Sequence, residues 1–242
     1  MFNYKITIQY DGTQYAGWQI QENATTVQEV IIQSIEKILQ EKINLIGAGR
    51  TDAGVHALGQ VANFTTTREL DLYKFKYSVN SILPSDISIA KIELAEENFH
   101  ARFSAKKRSY IYLIAEHKSP FFNRYSYTLF FDFDQKKLND LASALIGNQD
   151  FTSFSKVNTE VQNKFCEIYE ARWRRQKNFF IFYIEANRFL YGMVRAIVGT
   201  ILKSYSSDEG INNLKNIILQ RDRNAAADSA PAKGLFLYKV KY

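Results

Sequence analysis

The sequence predicts an α+β fold made of two halves of related build. The first hundred or so residues follow the order strand, helix, strand, strand, helix, strand, which is the split order of a ferredoxin-like domain. The second half repeats a similar succession of elements in altered proportions, without a repeated residue motif. We therefore expect a second domain joined to the first across a cleft. A basic stretch marks the boundary, which divides the chain into domains 1–104 and 105–242.

Alternating apolar residues predict the strands of the first half, and apolar residues at helical spacing predict its helices. Thr26 and Glu29 form a capping box at the start of the first helix, and Pro84 follows the second. The predicted elements are a strand at 4–10, a helix at 27–39, strands at 43–46 and 60–66, a helix at 71–82 and a strand at 87–94. The helices are expected to cover one face of an antiparallel sheet and leave the other face free.

The same patterns extend through the second half. The predicted elements are strands at 110–115 and 130–133, a helix at 134–146, a hairpin of strands 165–175 and 179–186, helices at 189–205 and 208–219, and a closing strand at 235–240. The hairpin turns at Gln176, Lys177 and Asn178, between two alternating runs.

Composition narrows the functional classes. The chain has 242 residues, with 31 Lys and Arg against 25 Asp and Glu, a net charge of +6, and 14% aromatic residues. This balance favours a polyanionic partner. A single cysteine, Cys166, and three scattered histidines argue against a disulfide framework and a zinc site. No apolar run approaches the roughly 18 residues needed to cross a membrane, so we expect a soluble cytosolic protein.

The most chemically loaded stretch is a glycine-rich loop between two predicted strands, at residues 47–59. It contains Gly47, Gly49, Gly54 and Gly59 around Arg50, Asp52 and His56. Glycine permits unusual backbone angles and close approach of a ligand. Two interpretations stay open, namely a functional site and a hairpin in which Arg50 and Asp52 form a local ion pair. A phosphate-binding loop is disfavoured, because Asp52 follows the glycines and a strand, not a helix, comes next.

Three cations, Lys106, Lys107 and Arg108, precede Tyr110 at the start of a predicted strand. Such a cluster is usually a solvated connector. An aromatic ring beside cations is also the pattern expected where nucleic acid binds. Both interpretations stand at this point.

The predicted helix at 189–205 has an unusual polar face. Arg188, Gly192, Arg195 and Gly199 follow at spacings of four, three and four, which places them on one side. Each glycine inside a helix costs roughly 1 kcal/mol relative to alanine. The expected compensation is close approach of a neighbouring backbone or ligand, with Arg195 projecting into the gap. The alternative is tight helix packing in which Arg195 pairs with a carboxylate.

A series of short motifs then resembles one family along nearly the whole chain. The run GAGRTDAGVHA at 47–57 is similar to the signature of the tRNA pseudouridine synthase A family. Further matching motifs are YDG at 10–12, GWQ at 17–19, TVQE at 26–29, LPSDI at 83–87, FHARFSA at 99–105, DFTSF at 150–154, MVRAIVG at 193–199 and GL at 234–235. This chain departs from many members in having Tyr191 and Gly192, where they have two histidines.

The resemblance implies a fold, an activity and residue roles. It implies two ferredoxin-like halves with antiparallel sheets flanking a central basic cleft, and isomerisation of uridine to pseudouridine at positions 38, 39 and 40 in the anticodon stem-loop of tRNA. Asp52 corresponds to the catalytic aspartate, Arg50 to the arginine that fills the space of the flipped nucleotide, Tyr110 to the tyrosine that stacks on the uracil and helps to remove a proton, and Arg195 to the arginine that pairs with the aspartate. Lys106, Lys107 and Arg108 are expected to bind phosphates. The family is homodimeric, and the reaction calls for no metal and no cofactor.

Two alternatives remain beside the isomerase. One is a catalytically silent tRNA-binding or tRNA-chaperone protein on the same scaffold, in which Asp52 is only structural. The other is a cytosolic interaction module with no RNA partner, which would fail to bind tRNA even at low salt.

Overall fold

Most helices and strands lie close to the positions that the sequence patterns predict. The structure is a computed structural model that describes residues 1–156, 162–207 and 210–242. The strands are β1 (Phe2–Tyr10), β2 (Ile46–Gly47), β3 (His56–Thr66), β4 (Ile87–Ala95), β5 (Lys107–Ala115), β6 (Tyr127–Thr128), β7 (Gly147–Asp150), β8 (Phe165–Gln176), β9 (Phe179–Ala186) and β10 (Leu235–Lys241). The helices are α1 (Val27–Leu39), α2 (Leu72–Ile82), α3 (Gln135–Ser143), α4 (Met193–Tyr205) and α5 (Gly210–Gln220).

The chain forms two compact units, Met1–Lys106 with Leu237–Tyr242, and Lys107–Phe236. Each is α+β with antiparallel pairing between its long strands, which confirms the predicted fold class. The domain division after Ser104 stays a prediction.

The first unit has the strand order β4-β1-β3-β10. Alternation along β1 buries Tyr4, Ile6 and Ile8 on one face, while Lys5 and Gln9 on the other face retain solvent contact. The helix α1 begins as its sequence predicts, because Thr26 Oγ1 accepts a hydrogen bond from the backbone of Glu29 at 3.4 Å.

The second unit has the strand order β5-β9-β8-β7. The register is antiparallel throughout, with Tyr110 opposite Ile184 and Trp173 opposite Phe182. Apolar side chains of α4 complete the core of this unit, and those of α4 that are fully buried include Ile197, Val198 and Ile201.

One predicted strand is absent, and one predicted helix begins later than expected. Residues 130–133 form no strand. The ring of Phe133 packs in the core instead, with its centroid 5.5 Å from that of Phe180 and 5.2 Å from that of Tyr205, while Phe130 is 77% exposed. The helix predicted from residue 189 begins only at Met193, because Gly192 takes a left-handed conformation with φ of 73° at its N-cap.

The late start of α4 also corrects the predicted small-residue face. Arg188 and Gly192 lie outside the helix, so only Arg195 and Gly199 share that face. A Cβ atom at Gly199 would lie 2.0 Å from the carbonyl oxygen of Asp228. The expected close approach of a neighbouring backbone is therefore confirmed at Gly199.

Smaller differences concern the ends of elements. The strand β3 begins at His56 and not at Gln60, β2 is a two-residue strand at Ile46, and β7 had no counterpart in the prediction. The predicted start of α5 at Asp208 lies outside the described residues, and the remainder of that helix is present.

Gly199→Ala tests the close packing of α4. We expect its free energy of unfolding to fall by about 1–3 kcal/mol, because the added methyl group meets a backbone carbonyl that cannot move cheaply. The helical gain of up to about 1 kcal/mol for alanine over glycine offsets only part of this cost. Urea denaturation measures the change. Lys203→Ala on the exposed side of the same helix is the control, and an equal loss in both variants would contradict the packing argument.

Candidate active site

The glycine loop rests on a buried tryptophan in the first unit. Trp18 is 1% exposed, and its indole lies against Gly47, where a Cβ atom would be 2.5 Å from Nε1. The ring of Trp18 also stacks near that of Tyr10, with centroids 6.2 Å apart. Only glycine fits at position 47 without displacing the indole.

Backbone contacts pin the rest of the loop. The Trp18 amide donates to the carbonyl of Thr51 at 3.1 Å, and the Gly54 amide donates to that of Tyr15 at 3.4 Å. A Cβ atom at Gly12 would lie 2.0 Å from the carbonyl oxygen of Val55. The loop that carries Asp52 is therefore held against residues 12–18 by main-chain contacts on both sides of the aspartate.

Buried polar groups complete this support. Tyr10 Oη and Thr51 Oγ1 lie 2.8 Å apart in a buried hydrogen bond. The Gly12 amide donates to Nδ1 of His56 at 3.1 Å, and the same nitrogen lies 3.1 Å from Oδ1 of Asp11. His56 is 1% exposed, so it is a buried, hydrogen-bonded histidine.

The glycines of the loop serve different purposes. Gly54 has a φ of 74°, which requires glycine, whereas Gly47 and Gly59 have ordinary φ values and are needed for space. At Gly59 a Cβ atom would lie 2.5 Å from the carbonyl oxygen of Tyr238 on β10. Nothing lies within 4 Å of a Cβ at Gly49.

Asp52 and Arg50 sit at the outer part of this rigid loop. Asp52 is partly exposed between the buried Thr51 and Val55, and its carbonyl accepts a hydrogen bond from the Val55 amide at 3.1 Å. Arg50 is exposed and its Nε donates to Oε1 of Gln19 at 3.3 Å. A carboxylate on a fixed backbone suits nucleophilic or base chemistry.

Tyr110 lies near the start of β5 in the second unit. Its side chain is 8% exposed, and the edge of its ring meets the ring of Phe189 at 89° with centroids 5.1 Å apart. The ring is therefore held in one orientation by its strand and by Phe189, as a stacking surface requires.

The three cations before Tyr110 have unequal surroundings. Lys107 Nζ lies 3.4 Å from a Glu185 carboxylate oxygen and 4.2 Å from the centroid of the Tyr169 ring. Arg108 donates from Nη1 to the carbonyl of Asn187 at 3.0 Å. Lys106 has an exposed side chain. Lys107 and Arg108 are thus partly engaged by the fold, and Lys106 is the most accessible of the three.

Arg195 occupies the first turn of α4. Its Nε donates to the carbonyl of Ala230 at 2.8 Å, and the Ala230 amide donates back to the Arg195 carbonyl at 3.0 Å. Nearby, Tyr112 donates to the carbonyl of Pro231 at 2.8 Å. Burial raises the pKa of Tyr112, and the guanidinium of Arg195 partly counteracts that rise. The bond from Nε to Ala230 orients the Arg195 guanidinium, and the backbone bond from Ala230 holds that acceptor next to the helix.

The described residues contain neither a cluster suited to a metal ion nor a reactive cysteine. Across 1–156, 162–207 and 210–242, no group of three or more His, Cys, Asp and Glu side chains is arranged to hold a metal ion. Burial raises the pKa of the Cys166 thiol to about 11, so it stays protonated and is a poor nucleophile. In the same part of the chain, every helix is too short or too polar to cross a membrane.

Comparison with known proteins identifies the family. A family model described as tRNA pseudouridine synthase matches residues 6–104 and 141–242. The chain belongs to the tRNA pseudouridine synthase family. A protein named tRNA pseudouridine synthase A from Thermoanaerobacter sp. (strain X514) is 41% identical over 249 residues, covering 100% of both chains. One of the same name from Bacteroides fragilis is 42% identical, covering 99% of this chain and 96% of its own.

A member of this family is an isomerase that acts on uridine in tRNA, and the catalytically silent alternative has no support.

Among solved structures, a Cbf5-Nop10-Gar1 complex resembles this chain at 12% identity and a TM-score of 0.40, over 97% of this chain and 48% of that one. That similarity is too low to support any inference about this synthase.

Sequence reasoning located Asp52 and Arg50 but missed what holds them. The contacts of Trp18 with Gly47 and of Thr51 with Tyr10 join residues 29 and 41 positions apart. The signals near these partners were the family motifs YDG at 10–12 and GWQ at 17–19. They mark Trp18 and Gln19 but do not show that Trp18 supports Gly47 or that Gln19 binds Arg50.

A pair of variants in this loop tests the support of the site. Gly47→Ala places a methyl group against the Trp18 indole, whereas Gly49→Ala meets nothing within 4 Å. We expect Gly47→Ala to lower the free energy of unfolding by about 1–3 kcal/mol and to reduce pseudouridine formation, because Asp52 shifts with the loop. Gly49→Ala is expected to keep both properties. Equal behaviour of the two variants in denaturation and turnover would contradict this account.

Proposed function

We propose that this synthase isomerises uridines 38, 39 and 40 in the anticodon stem-loop of tRNA, with Asp52 as the catalytic residue. The observation that carries the proposal is the position of Asp52, which is partly exposed on a loop held rigid by Trp18 and Thr51. A family match over residues 6–104 and 141–242, which includes the loop, makes that carboxylate the natural candidate. The anticodon arm and its three positions follow from the resemblance of the motifs.

The reaction is an isomerisation that needs no outside reactant. The bond from uracil N1 to C1′ of ribose breaks, and a bond from uracil C5 to C1′ forms. The C5 proton leaves to solvent and N1 gains a proton, so composition and oxidation state are unchanged. In this proposal the Asp52 carboxylate attacks the target nucleoside and forms a transient bond to it. The uracil detaches, rotates and rejoins through carbon, and the bond to Asp52 breaks so that the carboxylate is restored.

The remaining residues take roles around that step. Tyr110 stacks on the uracil and assists removal of the C5 proton. Arg195 pairs with the aspartate, as the family resemblance implies. The target nucleotide leaves its stack at a cost of a few kcal/mol, and Arg50 fills the vacated space.

Phosphate binding and the cellular setting complete the proposal. Lys106, Lys107 and Arg108 contact tRNA phosphates, with Lys106 the most exposed. By resemblance to its family, the protein works as a homodimer in the cytoplasm.

Asp52→Asn is the first test. A tRNA transcript labelled with tritium at uracil C5 releases tritium to water for each pseudouridine formed. We expect release by the wild-type protein without added metal, and a loss of roughly 10⁴-fold or more in Asp52→Asn, because the nucleophile is removed. Binding of tRNA and thermal stability are expected to stay close to wild type.

Asp140→Asn is the matched control, since Asp140 is an exposed aspartate on α3. It is expected to keep full turnover. Substantial turnover by Asp52→Asn would remove the aspartate from the mechanism. An unfolded Asp52→Asn variant would point to a structural role, and sequencing the modified sites would check positions 38–40.

Two variants of Tyr110 separate stacking from proton transfer. Tyr110→Phe keeps the ring and its contact with Phe189 but removes the hydroxyl. If the hydroxyl moves the C5 proton, kcat falls by about 10²- to 10⁴-fold while KM changes little. Tyr110→Ala loses the ring as well and is expected to raise KM. An unchanged kcat in Tyr110→Phe would limit Tyr110 to stacking.

A further inference from the structure

The turn at residues 100–104 of the first unit presents an exposed ring flanked by polar groups. Phe103 is 77% exposed. The His100 ring lies against it, with centroids 4.4 Å apart and an angle of 34°, and the Arg102 guanidinium lies 5.6 Å from its centroid. A single exposed phenylalanine is ordinary. One bordered by an imidazole and a guanidinium has the composition of a nucleobase-stacking surface.

Buried amides hold this turn from behind. The Ala101 amide donates to Oδ1 of Asn63 at 2.8 Å, and Asn3 Nδ2 donates to the carbonyl of Phe99 at 2.9 Å. Both asparagines are buried. Tyr242 adds a bond from its hydroxyl to the Ala101 carbonyl at 2.9 Å. The turn is therefore anchored to β1, to β3 and to the end of the chain, which limits the entropy that ligand binding would cost.

His100 fixes the tip of the turn. Its Nδ1 accepts hydrogen bonds from the amides of Arg102 and Phe103, both at 3.2 Å. Its own amide donates to Oγ of Ser104 at 3.1 Å. These bonds fix the backbone at residue 103, so the local hydrogen bonds of the turn keep the Phe103 ring at the surface.

The neighbouring surface carries charges of both signs. Beside the turn lies a cavity of about 540 Å³ whose lining includes Lys5, Lys106, Glu93 and Glu96. Lys5 is bound to a Glu93 carboxylate oxygen at 2.8 Å, so a phosphate would have to compete for it, whereas Lys106 stays exposed at the edge of the turn. The aromatic face of Phe103 accepts any base beside such a phosphate contact.

We propose that Phe103, with His100 and Arg102, is a stacking platform for an unpaired nucleobase of the tRNA other than the target uridine. This proposal rests on the proposed function, in which Tyr110 receives the target. A platform of this kind adds affinity without reading sequence, since every base has a stacking face. It suits an enzyme that must hold a tRNA loop while several uridines reach one aspartate.

Phe103→Ala tests the platform. We expect its Kd for tRNA to rise by about 5- to 150-fold at 150 mM salt, which is the range for loss of one base–aromatic stack. We expect kcat at saturating tRNA to stay close to wild type. Tyr73→Ala is the matched control, because Tyr73 on α2 is 78% exposed in the same unit; its Kd is expected to stay unchanged. Wild-type affinity in Phe103→Ala, or an equal loss in Tyr73→Ala, would overturn the platform.

Phe103→Trp gives a direct optical reading. Trp18 and Trp173 are buried, so the introduced indole is the exposed one, and stacking by a base should quench its emission when tRNA is added. Unquenched emission at saturating tRNA would also overturn the platform. Failure of the proposed function has a different signature, namely wild-type protein that binds tRNA but releases no tritium.

Discussion

The first unit depends on the close approach of two backbone segments, residues 12–18 and 47–55. At Gly12 and Gly47 there is no room for a Cβ atom, since a carbonyl oxygen and an indole ring lie within 2.5 Å of where it would stand. Glycine costs conformational entropy on folding. That cost is offset by main-chain hydrogen bonds between the segments and by burial of Trp18. The result is a loop whose backbone is fixed while Asp52 keeps solvent access, which is the combination that a reactive carboxylate requires.

The second unit uses the same device for its arginine. Gly199 lets the backbone at Asp228 touch α4, and Arg195 then exchanges two hydrogen bonds with Ala230. One guanidinium nitrogen, Nε, is therefore engaged in a structural hydrogen bond. Because the guanidinium is planar, fixing Nε also fixes where the two Nη groups point. The arginine is therefore positioned by its own helix and by one extended segment, not by a flexible side chain alone.

Local signals predicted the elements well, and tertiary contacts explain where prediction failed. The Thr26 cap and the alternation of residues 179–186 are legible within a few residues, and α1 and β9 follow them. The apolar run at 130–133 lacks a cap or a long alternation. The ring of Phe133 packs against residues of β9 and α4, and periodicity alone cannot distinguish such a packed loop from a strand. At the site, Asp52 was conspicuous in the sequence because glycines surround it. The contact of Trp18 with its loop, by contrast, joins distant positions and is visible only in the folded chain.

The net charge overstates how many cations are available to bind tRNA phosphates. Several cations are already paired within their own unit: Lys107 with Glu185, Arg172 with Glu170, and Arg175 with Glu116 and Asp132. A phosphate must compete with those carboxylates. Phosphate contacts also weaken steeply as salt rises, whereas stacking depends on ring area and geometry. At physiological ionic strength, rings held in place by the fold, such as Tyr110 and Phe103, are therefore proposed to provide the part of the binding energy that depends on where the tRNA lies.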